Sequence, residues 1–455
     1  MLDGFYWLVQ KGCRKSNQVM MFVLVLFSVT PVPVLAQALW TLEDSIQRAV
    51  DIAPETRGAE ALIRAREGAL KQAGAWPNLE VEVRADDSMS KDEGGHGTDF
   101  TQFAFSQPLP LSGRLGYQRS VAEAQLDAAR SQRQYQQVRL EAQVARRYHN
   151  LQLATERLRL AELRLQLATA LQAAGRQREQ AGELSRLERL RLDLIRESAQ
   201  QILDKSEGKA NEALSQFRTY LGFTTGTAEA RVQLTPLTPF DATPALAQLQ
   251  ESLSQHPAIL AVKQRLAAAQ AKVKLVRAER MPDPTLSLFR ERDSLNGRRQ
   301  GVNGIGIGFT LPLWNRNSGR ISAARAQVVQ IRSELQALER DLGSRLQQSY
   351  LHLGHLVQQG KHYRNRVFEP AQQVFDLTRK AYTNGEAEIL SLIDANNTYF
   401  DARERYLELL QEAWQESAEL RLAAGHRFVD EKQTGRQTEE KINAQAIATQ
   451  DTYHE

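Results

Sequence analysis

The chain has 455 residues, 42% hydrophobic and 25% charged, with a net charge of +4 and one cysteine. Basic and acidic residues are interspersed, which excludes the clustered basic footprint of a nucleic-acid-binding protein. A single cysteine excludes a disulfide framework and a thiolate metal site.

At the N-terminus, Lys11, Arg14 and Lys15 precede the apolar run Val19 to Leu35, which ends in Ala36-Gln37-Ala38. That order predicts a secretory signal over residues 1–38, cleaved after Ala36 or Ala38. Pro31 and Pro33 interrupt the run, and it is shorter than the ~20 residues of a spanning helix. Cys13 lies inside the leader, so the exported part is expected to have no cysteine and no lipid anchor at the cleavage site. The leader carries three basic residues and one acidic, which leaves +2 of the +4 for the remainder. No later stretch approaches a membrane helix, so any membrane contact must use strands.

Helical text follows in tracts Leu42 to Ala75 and, after a strand pair, Gly113 to Gly182 and Glu183 to Gly222. No proline occurs between Pro110 and Pro236, and Ala, Leu, Arg, Gln and Glu dominate, all good helix formers. Val144, Leu151, Leu158 and Leu165 fall seven apart, accompanied by Ala154, Ala161 and Ala168. A second stripe, Leu153, Leu160 and Leu167, lies about 200° round the helix. Two stripes predict a helix with neighbours on both sides and left-handed supercoiling. A solvated coiled-coil rod would explain the stripes equally well. Gly113 to Gly182 would span about 100 Å and the returning tract about 60 Å.

Four segments break the helical text with period two. Leu79, Val81, Val83 and Ala85 alternate with Glu80, Glu82, Arg84 and Asp86. Thr101, Phe103 and Phe105 alternate with Gln102, Ala104 and Ser106. Thr285 to Arg292 alternates less cleanly, and Ile305, Ile307, Phe309 and Leu311 alternate with Gly304, Gly306, Gly308 and Thr310. These predict half-buried strands at about 79–87, 98–109, 284–293 and 302–313, near the 9–11 residues of a tilted bilayer-crossing strand. Polar linkers Asp87 to Thr98 and Asp293 to Gln300 would be hairpin loops, and Trp76 and Trp314 would sit in an interfacial belt. An ordinary soluble sheet fits less well, because the polar faces carry Glu, Arg, Asp or bare glycine. Four strands cannot close a barrel and open edges are not tolerated in lipid, so a spanning chain of this kind must oligomerise.

The whole pattern is written twice, about 203 residues apart. Ala53-Pro54 recurs as His256-Pro257, Trp76-Pro77 as Met281-Pro282, Leu109-Pro110-Leu111 as Leu311-Pro312-Leu313, and Gly182 with Leu187 and Leu190 as Gly385 with Leu390 and Ile393. The chain therefore divides into a leader, a first unit over 39–240, a second over 241–427, and a polar tail over 428–455.

The turns between long helices carry a specific resemblance. Gly182-Glu183-Leu184-Ser185-Arg186-Leu187-Glu188 resembles the G-x-x-S-x-x-D tip of TolC-type outer-membrane factors. Tyr382-Thr383-Asn384-Gly385 followed by Leu390-Ser391-Leu392-Ile393-Asp394-Ala395 resembles the second tip, and the two Leu-Pro-Leu segments resemble the strand-to-helix switch. Pro370 matches a proline often found in the ascending helix of that family. First-tip spacing and overall layout are most similar to the CzcC-like heavy-metal branch.

The resemblance implies a mainly α fold with a transmembrane β-barrel contribution: a homotrimer with a twelve-stranded barrel in a Gram-negative outer membrane and an α-helical tunnel crossing the periplasm. It implies an exit duct for an inner-membrane pump reached through a periplasmic adaptor protein, with heavy-metal cations as one cargo and type I protein secretion as an alternative. An exported periplasmic scaffold is the alternative of another class. Gly182, Ser185, Leu187, Glu188, Leu190, Tyr382, Gly385, Leu390 and Ile393 would form the adaptor-docking tips, with Glu188 in place of the family's Asp. Asp394 would gate the tunnel as a ring of three carboxylates, or would cap the hairpin; both readings stand, and Arg379, Arg403 and Tyr382 would be its neighbours. His352, His355 and His362 fall roughly on one helix face without a carboxylate at ligand spacing. No cofactor, no resident metal, no catalytic constellation and no nucleic-acid partner are expected.

Overall fold

The computed structural model describes residues 39–86, 100–223, 233–240, 245–295 and 298–428. The leader, the first hairpin loop and the tail beyond 428 lie outside the described residues. In chain order the elements are β1 (Leu39–Trp40), α1 (Leu42–Ile52), α2 (Pro54–Ala73), β2 (Glu80–Asp86), β3 (Phe100–Pro108), α3 (Arg114–Gln180) and α4 (Arg186–Tyr220). The second half repeats them as β4 (Gln233–Leu234), α5 (Leu246–Ser252), α6 (Pro257–Ala278), β5 (Thr285–Leu295), β6 (Arg298–Gly308), α7 (Ser318–Tyr363), α8 (Glu369–Thr383) and α9 (Ile389–Ala424).

The helical tract Leu42 to Ala75 is broken at its proline, and its repeat in the second copy is broken likewise. Pro54 and Pro257 open α2 and α6 at the first turn, where the missing N–H is no loss. The residue before a proline is pushed out of the helical region, and Ala53 and His256 take ψ of 130° and 126°.

Between strands and long helices both copies make the same turn. Leu111 N–H donates to the Leu109 carbonyl at 2.8 Å, and Leu313 N–H to that of Leu311 at 2.9 Å, each bending tightly around the intervening proline. Gly113 and Asn317 then start the long helices with φ of 72° and 55°. This switch ends β6 at Gly308, earlier than the period-two pattern predicts. At its other end the hairpin is longer than expected. Asp293, Ser294 and Leu295 pair with Gln300, Arg299 and Arg298, so most of the predicted polar linker is strand. The charges there masked the strand signal.

The long helices lie in the row α4, α3, α9, then α7 with α8. α3 packs on α4 and on α9, and α9 also packs on α7 and α8. Both predicted stripes of α3 are used: Ala161, Ala168 and Gly175 are buried, and Gly175 lies so close to Leu192 of α4 that a Cβ would stand 2.2 Å from its Cδ1. Leu153 and Leu160 pack with Leu407 and Leu410 of α9. Equivalent cores recur in the two copies, around Val144, Tyr148, Leu151 and Phe217 in one and Leu346, Leu353, Leu409 and Leu420 in the other.

The copies differ in one helix. α3 runs unbroken for 67 residues, about 100 Å. Its counterpart is interrupted by a five-residue π-turn, Arg364–Phe368, immediately before α8. Pro370 has no N–H to give the helix and crowds the carbonyl four residues back; the wider turn accommodates both. Phe368 is buried there, stacked on Tyr406 at 5.2 Å with the Arg403 guanidinium 5.1 Å from its ring centroid.

Candidate functional site

Three features have the character of a transport surface: a two-faced sheet, a polar seam between the copies, and the paired helix tips.

The sheet is antiparallel in the order β2-β3-β5-β6. Alternate residues point to opposite faces, and the register sorts them. On one face lie Val81 and Val83, Phe103 and Phe105, Leu286 and Leu288, and Ile305 and Ile307. On the other lie Glu80, Glu82 and Arg84, Gln102, Ala104 and Ser106, Ser287, Phe289 and Glu291, and Gly304 and Gly306. The apolar side chains are the exposed ones: Val81, Val83, Phe105, Leu288, Ile305 and Ile307 are all uncovered, as are Trp76 and Trp314 at the helix end. On the polar face Glu82 pairs with Arg84 at 2.8 Å and Ser106 hydrogen-bonds Ser287 at 3.0 Å. The glycine run of β6 also has a steric cause. A Cβ on Gly304 would stand 2.3 Å from the Phe289 ring, whereas one on Gly306 would meet nothing closer than 3.8 Å. Sequence reading found the glycine face but not the ring that lies on it, because Phe289 is a cross-strand neighbour.

The seam between the copies is a ladder of polar rungs from α3 to α9. Arg146 bonds Glu419. Asn150 Oδ1 accepts from Gln411 and Gln415 at 2.6 and 2.5 Å, Arg157 bonds Glu408 and lies 3.3 Å from Glu404, and Arg164 donates to Asn397 at 3.1 Å. α3 supplies the cations and α9 the carboxylates, in antiparallel order. The segment around Thr235 crosses α3: the Gln152 amide donates to its carbonyl at 2.6 Å and Tyr148 bonds its hydroxyl at 2.8 Å. His149 is buried beneath, stacked on Trp414 at 4.8 Å. Burial pushes its imidazole down to about 4, although the Gln152 side chain favours the charged form.

At the first tip, Gly182 (φ 75°) closes α3: its N–H donates to Glu179 and that of Glu183 to Arg178, the left-handed glycine end of a helix. Ser185 then caps α4. Glu188 N–H donates to the Ser185 hydroxyl at 3.3 Å while the Glu188 carboxylate accepts from Ser185 N–H at 2.9 Å, a reciprocal capping box. Hydrogen bonds from Ser185 hold the Glu188 carboxyl below its usual range. A glutamate thus fills the tip position because its longer arm reaches back to the cap.

The second tip has the same glycine, Gly385 (φ 79°), with Glu386 N–H donating to Ala381. Its helix start, Glu388, has no side-chain cap. Tyr382 is buried in a core with Leu192, Phe375, Ile389 and Leu392 that joins the two tips, and the Arg178 guanidinium lies 4.6 Å from its ring centroid. Leu187, Leu190 and Leu390 are exposed and Ile393 is half-buried.

Asp394 is exposed on α9 and has no hydrogen-bond or ion-pair partner among the described residues. Its expected neighbours are engaged elsewhere: Arg379 with Asp376 at 3.5 Å, Arg403 over Phe368, and Tyr382 in the tip core. His352 contacts Glu416 at 3.0 Å, while His355 and His362 are exposed. No cluster of three or more His, Cys, Asp or Glu that could hold a metal occurs among the described residues.

A two-faced sheet and doubled helical hairpins meet a family match that decides the assignment. The model for outer membrane efflux proteins matches residues 45–223 and again 248–426. The chain belongs to the outer membrane efflux protein family. The two matches begin 203 residues apart, which is the duplication seen in the sequence. Among curated relatives, the cobalt-zinc-cadmium resistance protein CzcC of Cupriavidus metallidurans is 25% identical over 82% of this chain and 87% of its own length. The pyoverdine export outer membrane protein OpmQ of Pseudomonas aeruginosa is 26% identical over 86% of each. The solved outer membrane protein VceC of Vibrio cholerae shares the fold, with a TM-score of 0.68 at 17% identity over 85% of this chain and 97% of that one. The protein is an outer-membrane efflux duct, a class of transport channel rather than of enzyme.

Proposed function

We propose that three copies of this chain, each freed of its leader, close into a twelve-stranded barrel above a helical tunnel, as the exit duct of a tripartite efflux system. The two-faced, open-edged sheet carries this reading. An apolar face of exposed Val, Phe, Leu and Ile suits lipid, and a face of carboxylates, amides and glycines suits a water-filled lumen. β2 and β6 are open edges, which lipid does not tolerate; copies on either side would close them. The helices support the same ring. Outer α4 leaves Leu194 exposed, and outer α7 and α8 leave Val329, Leu351, Val374 and Leu377 exposed. Two different uncovered edges on one chain make a head-to-tail contact that closes as a ring.

In that assembly the tips of Gly182, Ser185, Leu187, Glu188 and Leu190 and of Gly385, Leu390 and Ile393 dock the periplasmic adaptor, held together by buried Tyr382. Asp394, unpartnered on α9, contributes one of three gate carboxylates. Resistance relatives such as CzcC, and the nickel-cobalt-cadmium resistance protein NccC of Alcaligenes xylosoxydans xylosoxydans at 23% identity, support heavy-metal cations as cargo delivered by an inner-membrane pump.

The sheet orientation is tested by Ile307→Arg against Gly306→Ser. Arginine on the lipid face costs roughly 2–4 kcal/mol near the midplane, so heat-resistant trimer yield from outer-membrane extracts should fall sharply for Ile307→Arg. Gly306→Ser has room for its Cβ and should assemble normally. The reverse ranking overturns the barrel.

A further inference from the structure

Two arginines of β5 interrupt the apolar face of the sheet. By register, Arg290 stands between Phe103 and Asn303 and Arg292 between Thr101 and Gly301, on the same face as Leu288 and Ile305. Both are exposed, and neither has a hydrogen-bond or ion-pair partner among the described residues. Among the described residues no Asp or Glu occupies a position on this face; Glu80, Glu82 and Glu291 all belong to the other. Beside the arginines runs a groove of about 650 Å³ lined by Phe103, Phe105, Leu288 and Ile305, with Arg290 and Asn303 at one end.

We propose that this groove and the two arginines seat one phosphorylated glycolipid of the outer leaflet, its acyl chain on the apolar floor and its phosphate on Arg290 and Arg292. The inference rests on the barrel orientation proposed above. β5 starts beside the helices, where Leu109 N–H donates to the Pro284 carbonyl, and runs away from them. The arginines therefore lie toward the end remote from the tunnel, which faces the outside. Two residues apart on one strand, their Cα atoms are about 7 Å apart, close enough to share a phosphate or flank two. A guanidinium presents a planar fork that binds phosphate bidentately, and a phosphate supplies the counter-charge that the described residues of this face lack. Free phosphate would use only the arginines. An amphiphile uses the groove as well.

The test is lipid binding to the full-length detergent-solubilised trimer by native mass spectrometry. Three probes are compared: lipid A with both phosphates, the same lipid stripped of phosphate, and inorganic phosphate. The parent should hold lipid A about 10-fold more tightly than the stripped form, the size of one charge-assisted hydrogen bond. Arg290→Gln with Arg292→Gln should bring lipid A down to the stripped level, and Arg290→Lys with Arg292→Lys should recover part of the loss. Millimolar inorganic phosphate should not displace the lipid. Equal retention by parent and glutamine variant, or displacement by phosphate, overturns the seat. If the double variant yields no trimers, Arg292→Gln alone is held to the same criterion. The underlying orientation is read separately through Ile307→Trp, whose fluorescence brominated lipids should quench. Absent quenching defeats the barrel face itself, whereas quenching with unchanged lipid A binding defeats only the seat.

Discussion

The two copies fold alike but are secured differently. Gly222 and Gly425 end the descending helices at equivalent places, with φ of 68° and 72°. In the first copy the glycine backs onto the flexible end of Ile52; in the second it backs onto His256 and Pro257, both held by their rings. His256 is fixed further: its Nδ1 accepts from Ala258 N–H and its Nε2–H donates to the Leu422 carbonyl, each at 3.1 Å. The tips contrast the other way, with a capping box at Ser185 and none at Glu388. A duplicated fold thus keeps its topology by keeping its turns, while each copy finds its own way to hold them.

Substituting the paired glycines should break the symmetry most. A left-handed alanine costs about 1–2 kcal/mol, and overpacking adds about 1–3 kcal/mol where neighbours cannot yield. Gly425→Ala should therefore lose about 3 kcal/mol or more, against about 1–2 kcal/mol for Gly222→Ala, in chemical unfolding of the detergent-solubilised protein. Equal losses would mean the His256–Pro257 corner moves as freely as Ile52.

Acid should act next. His149 has no buried counterpart: Leu351 and His352, 202 and 203 residues on, are both exposed. Its folded pKa of about 4 lies below the unfolded value of about 6.5, so the folded state binds fewer protons. The stability it contributes is whole above pH ~6.5 and drains away as pH falls toward 4, by about 3 kcal/mol in all at ~1.4 kcal/mol per decade. Burial lowers His256 as well, so both act in one direction. His149→Gln should flatten the fall in melting temperature between pH 6.5 and 4; an unchanged slope would assign the acid response elsewhere.

At the tips the effects are smaller. Ser185→Ala should cost about 1 kcal/mol by removing the cap, and Glu388→Ala less than about 0.5 kcal/mol, as measured by amide exchange in the first turns of α4 and α9. Asp394→Asn should change stability least, yet lower cation selectivity and divalent block in single-channel recordings. Unaltered selectivity and block would remove Asp394 from the lumen.

Much of this was legible because the signals were local. Proline positions, the period-two runs, the Leu-Pro-Leu switches and the tip glycines each act within a few residues. What escaped were contacts across the chain. Tyr382 reads as a tip motif residue, but only the meeting of α4, α8 and α9 buries it. Asp293 to Leu295 read as linker because charge hid their pairing with β6. The π-turn before Pro370 had a local trigger, though nothing nearby in sequence announced the Phe368–Tyr406 stack that occupies it.

The glycines of β6 bear on hydraulics. An aromatic ring on the polar face would normally project into the passage, and three copies would throttle it. Because Gly304 has no Cβ where the Phe289 ring lies, the ring reclines against the wall. In the proposed barrel each protomer thereby carries a large side chain with little loss of cross-section. A methyl group at Gly304 would lift three rings at once into the stream, so conductance would fall with the pore's chemistry otherwise intact.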